Sequence, residues 1–115
     1  MRRHRLALIS AAALVLLCGF EWEGPLGRLL RDLEASDPSV RVLAVHRLAE
    51  LPTREVEPAI LRALADATLE VRIEATHAAA RLRLGSATPV LLEWLDDPDE
   101  TVREEAARAL GATGG

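Results

Sequence analysis

The sequence predicts an all-α fold, an α-solenoid of three helical hairpins, preceded by an N-terminal signal or anchor helix. Three observations predict it. Val-Arg pairs recur 31 residues apart, at Val40-Arg41, Val71-Arg72 and Val102-Arg103. The apolar residues around each pair fall at helical spacing, and no stretch alternates apolar and polar residues as a strand would. Between the two apolar stripes of each copy stands a residue with capping chemistry.

The columns of the repeat define the elements in order. Leu29, Ile60 and Leu91 share one column, Leu30, Leu61 and Leu92 the next, and Leu33, Leu64 and Leu95 a third. Together they form the stripe of the first helix in each copy. The Val column, then Ala44, Ala75 and Ala106, then Leu48, Ala79 and Leu110 form the stripe of the second. Asp37, Thr68 and Asp99 each stand three residues before the Val and suit the N-cap of the second helix. Pro38 fits its first turn, and Pro58 and Pro89 fit the start of the first helices. Pro52 and Gly85 follow the second helices, where stops belong. The expected helices are about 26–35, 38–51, 57–66, 69–83, 89–96 and 100–111. They group into repeats at about 26–52, 57–84 and 88–112, within a repeat domain of 26–113. A single hairpin cannot bury its stripe alone; stacking buries a continuous core.

The composition fits one domain at most. Half of the 115 residues are apolar, yet there is one Phe, two Trp and no Tyr, so the core is aliphatic and finely grained. All fourteen basic residues are Arg. One cysteine, Cys18, excludes an intramolecular disulfide and any metal site built from several thiolates.

Residues 1–25 read apart from the fold, as a signal peptide or membrane anchor. Arg2, Arg3 and Arg5 precede an uncharged run from Leu6 to Phe20, the pattern of a secretory signal. Fifteen helical residues reach about 22 Å, short of the roughly 30 Å hydrocarbon core. The expected location is therefore extracytoplasmic, such as the periplasm, with retention by an anchor as the alternative. Val15-Leu16-Leu17-Cys18 resembles a lipoprotein box but carries Leu where a small residue belongs. Cys18 is accordingly a weak lipidation candidate, and a small apolar residue of the signal is the favoured reading.

Leu95-Asp96-Asp97-Pro98-Asp99-Glu100-Thr101-Val102-Arg103, continued by Ala106, Ala107, Ala109, Leu110 and Gly111, resembles the short HEAT-like repeats of the type named after phycobilisome lyases. The likeness covers about residues 26–113. It is strongest in the third copy, while in the second Ala67-Thr68 replaces the acidic turn. It implies a right-handed solenoid and a scaffold or accessory subunit.

Several side chains invite chemistry. Arg41, Arg72 and Arg103 form either an anion-binding ladder or an intramolecular one bonded to acidic turns and helix-end carbonyls. The second is preferred, because Arg suits forked, partly buried pairing. His46, His77 and Arg108 share a column six after the Val, about 240° round the helix and opposite the core stripe. A zinc pair there conflicts with helices spaced about 8–10 Å apart, so no metal is expected. The column reads instead as an exposed ridge for a partner. Val42, Val45 and Ile73 point off the stripe, towards a partner or towards the N-terminal segment. Trp94 either packs across the end of the array or anchors a partner. Glu104-Glu105 and Asp96-Asp97 read as solvated neighbours.

No Gly-x-Ser-x-Gly elbow, phosphate loop or His-Glu-x-x-His pair is present. The expected function is thus a non-catalytic protein–protein interaction scaffold exported to the cell envelope, without cofactor. The alternative is an accessory subunit of a cofactor-handling, lyase-like enzyme. Nucleic-acid binding ranks last: beyond residue 25 there are eleven Arg against sixteen acidic residues, a net of −5. The open side of the third pair calls for a cover, either a second copy or a partner.

Overall fold

A computed structural model of the chain describes residues 24–113, and the signal peptide, anchor and Cys18 readings lie outside them. Three hairpins follow one another: α1 (Gly24–Asp32) with α2 (Pro38–Leu48), α3 (Glu57–Ala63) with α4 (Leu69–Arg81), and α5 (Thr88–Trp94) with α6 (Glu100–Thr113). Short 3₁₀ turns, Arg54–Val56 and Gly85–Ala87, lead into α3 and α5. The described residues contain no strand and no helix long and apolar enough to cross a membrane. Each first helix packs on its own second helix, and α2, α4 and α6 stack side by side.

Local chemistry sets the helix starts. The Asp37 side chain accepts the Ser39 N–H at 2.9 Å, and Asp99 accepts that of Thr101 at 2.8 Å. The Asp37 carboxyl lies below its ordinary value because the Ser39 hydroxyl and then its N–H bond the charged form. Thr68 departs from the expected pattern. It holds the N-cap position of α4 in extended conformation, but its side chain makes no capping bond. Its Oγ1 accepts a bond from Arg41 instead. Pro38, Pro58 and Pro89 sit in the first turns of α2, α3 and α5, where a missing N–H leaves no bond unmade.

The stop after α4 differs from expectation. Arg83, not Gly85, takes the left-handed conformation at φ 53°. Leu84 N–H donates to Ala79 O at 2.9 Å and Arg83 N–H to Ala80 O at 3.1 Å, which together form a Schellman cap. Gly85 opens the next 3₁₀ turn.

The core follows the columns. Ile60, Val71, Ala75, Ala79, Leu91 and Ala106 are fully buried. Each large aliphatic side chain so covered contributes about 1.5–3 kcal/mol. Small residues in the Ala44, Ala75 and Ala106 column let the second helices approach closely, and all three are buried. The single buried polar side chain among the described residues, Thr76, donates its hydroxyl to Arg72 O at 2.8 Å. Two expectations are corrected here. Val45, read as pointing off the stripe, is fully buried between repeats. Leu92 and Leu95, read as core, are 52% and 38% exposed, because among the described residues no hairpin lies beyond α5 and α6.

Candidate interaction surface

The stacking of α2, α4 and α6 turns one sequence column into a line of paired polar side chains. His46 Nδ1 lies 2.8 Å from Glu74 Oε1, and its Nε2 lies 3.3 Å from Glu50 Oε1. His77 Nδ1 stands 3.9 Å from the other oxygen of Glu74, and its Nε2 is 2.7 Å from Glu105 Oε2. Arg108 donates to Glu105 Oε1 at 2.7 Å. A chain that alternates carboxylate with imidazole or guanidinium therefore runs Glu50, His46, Glu74, His77, Glu105, Arg108 across all three repeats. The imidazoles are about half exposed, while Glu74 and Glu105 are 19% and 16% exposed.

His46, His77 and Arg108 thus line up with their side chains 46%, 45% and 69% exposed, and each is paired along the array. Sequence reasoning missed Glu74 and Glu105. Glu105, read as solvated, is largely covered. Burial pushes its carboxyl up, while hydrogen bonds from His77 and Arg108 pull it down further, leaving it below its ordinary 4.5. A signal did exist: Glu74 and Glu105 are 31 residues apart, and each lies three before His77 or Arg108 on the same helix face. Glu74 fills the gap between the two imidazoles, and among the described residues no three His, Cys, Asp or Glu side chains gather as metal ligands.

The arginine column behaves as an intramolecular ladder at two of its three positions. Arg41 Nε donates to Asp66 Oδ2 at 3.0 Å and Nη2 to Thr68 Oγ1 at 3.0 Å, both in the next repeat. Its Nη1 donates to Ala35 O and Ser36 O at 2.7 and 3.2 Å. Arg103 repeats only the second half, with Nη1 donating to Asp97 O and Pro98 O at 2.7 and 3.0 Å. Arg72 corrects the expectation: its Nε is buried without a hydrogen-bond partner, and nothing in the structure explains why it forgoes Asp97.

The remaining candidates do not join the ridge. Val42 is half-buried and lines an open groove of about 460 Å³ with Asp37, Pro38, Ser39 and Glu70. Ile73 is half-buried on α4. Trp94 stands in the column of buried Ala63 and packs, partly covered, against the core.

Stacked hairpins that bury one shared seam and join neighbours through side-chain rungs define an α-helical repeat protein. The chain belongs to the HEAT repeat family, whose model matches residues 26–111. HEAT repeats generally mediate protein–protein interaction and are typically non-catalytic. No curated protein matches the chain.

Proposed function

We propose that this protein is a non-catalytic scaffold, exported to the cell envelope, that holds a partner protein on the ridge formed by α2, α4 and α6. The observation that carries the reading is the line of half-exposed His46 and His77 and exposed Arg108 on carboxylates, Glu74 and Glu105, that are themselves mostly covered. Such a line presents fixed polar groups at the repeat spacing, so little side-chain freedom is lost on docking. Val42 and Ile73 supply apolar area on the same pair of helices.

A cross-linking pull-down from envelope fractions tests it. The expected result is one discrete adduct that disappears when His46→Ala, His77→Ala and Arg108→Ala are combined in a chain that still folds. Undiminished capture by that variant sinks the ridge. Export rests on Arg2, Arg3, Arg5 and the apolar run to Phe20. Fusion of residues 1–25 to a reporter active only outside the cytoplasm is expected to give activity, and a silent fusion overturns export.

A further inference from the structure

Each junction between repeats follows a rule. The trailing face of one hairpin offers Arg or His, and the leading face of the next answers with a carboxylate. At the first junction Arg41 meets Asp66 and His46 meets Glu74; at the second His77 meets Glu105. Arg72 departs from it, and the Ser86–Glu57 bond at the second junction lies outside it, with the carboxylate on the earlier repeat. Apolar or small side chains lie between the rungs, and there Val45, Leu64 and Thr76 are 0%, 1% and 1% exposed.

The third repeat keeps the basic positions of this face, Arg103 and Arg108, with Glu104 and Ala107 where the first repeat has Val42 and Val45, and nothing is described against it. Leu92, Leu95 and Ala107 are exposed. Arg103 uses only Nη1, on its own turn, and the Arg108 side chain is 69% exposed with its one bond to Glu105 of the same helix.

We propose that this face docks a helical hairpin of a partner protein, one whose inter-helix turn carries an Asp and whose second helix carries a Glu eight residues later. That is the spacing of Asp66 to Glu74 and of Asp97 to Glu105. The proposal rests on the scaffold reading and specifies the chemistry of what is held. A second copy of this chain fits poorly. Its leading face presents Ala35 and Leu43 at the positions of Asp66 and Glu74, so Arg103 and Arg108 would be covered without a counter-charge.

Residues 54–84 serve as the probe, because they carry Asp66 and Glu74 at this spacing. As a synthetic peptide titrated into the full chain by calorimetry, they are expected to bind saturably. Affinity should fall at least about tenfold with Asp66→Asn and Glu74→Gln in the peptide, or with Arg103→Ala and Arg108→Ala in the chain. A second measurement appends the same residues after Gly115. The added carboxylates then follow Arg103 by 25 residues and Arg108 by 28, the separations of Arg41–Asp66 and His46–Glu74. Linkage removes the need for the hairpin to fold alone. The acidic extension is expected to melt above both the unextended chain and its Asn/Gln counterpart.

Equal melting of acidic and neutral extensions overturns the proposal. So does sedimentation of the unextended chain as a dimer that Arg103→Ala and Arg108→Ala dissolve. Charge-dependent hairpin docking without capture at the ridge counts against the scaffold reading alone. Ridge capture with no charge effect at this face removes the docking inference alone.

Discussion

Arg83 holds a backbone conformation that costs an L-residue about 1–2 kcal/mol, and it does so to close the Schellman cap of α4. Glycine adopts that conformation freely but loses more entropy on folding, so Arg83→Gly should stabilise the protein by about 0.5–1 kcal/mol in urea unfolding. Arg41 and Arg72 are alike in sequence and opposite in circumstance. Arg41 is bonded to a carboxylate and a hydroxyl of the next repeat and to two carbonyls of its own turn, whereas the buried Nε of Arg72 has no partner. Arg41→Ala strands a mostly covered Asp66 and should cost about 2 kcal/mol, discounted from the cost of a fully buried pair. Arg72→Ala should cost distinctly less, which thermal melts of the two variants will compare.

At the scale of the helix, Glu105 couples the packing of α4 on α6 to pH. Glu105 has a folded value below its ordinary 4.5, so its contribution is fully present above that pH and is lost as the pH falls through the lower folded value. Glu105→Gln should therefore remove stability at neutral pH and flatten the decline below pH 4.5, read from unfolding midpoints across an acid series. Helix positions were legible because caps, prolines and stripes all act within a few residues. The ladder of imidazoles and carboxylates was not, because Glu74 answers His46 from 28 residues away, and that pairing exists only once the second helices stack. Val45 was misread for a related reason. Its column runs Val45, Thr76, Ala107, with no constant chemistry, and the next repeat buries the first two.

Across the whole molecule, burial peaks in the middle repeat, where Ile60, Leu64 and Val71 have a neighbour on both sides. Stability in such arrays is roughly a sum of repeat and junction contributions. Leu64→Ala should cost about 2–5 kcal/mol, while Leu95→Ala in the same column should stay within roughly 0.5 kcal/mol. Chemical denaturation of the two variants checks the gradient. The columns showed which residues are equivalent, but not which of them has a neighbour beyond it, and so Leu92 and Leu95 were placed in a core that ends before them.

Among the described residues, the side-chain bonds that join one repeat to the next span 25 to 29 residues, from Arg41–Asp66 to Ser86–Glu57. Fastened only link by link, such a molecule should behave under tension like a zip. Drawn out from its two ends, it should lengthen in successive steps of about one hairpin, beginning where the seam is thinnest.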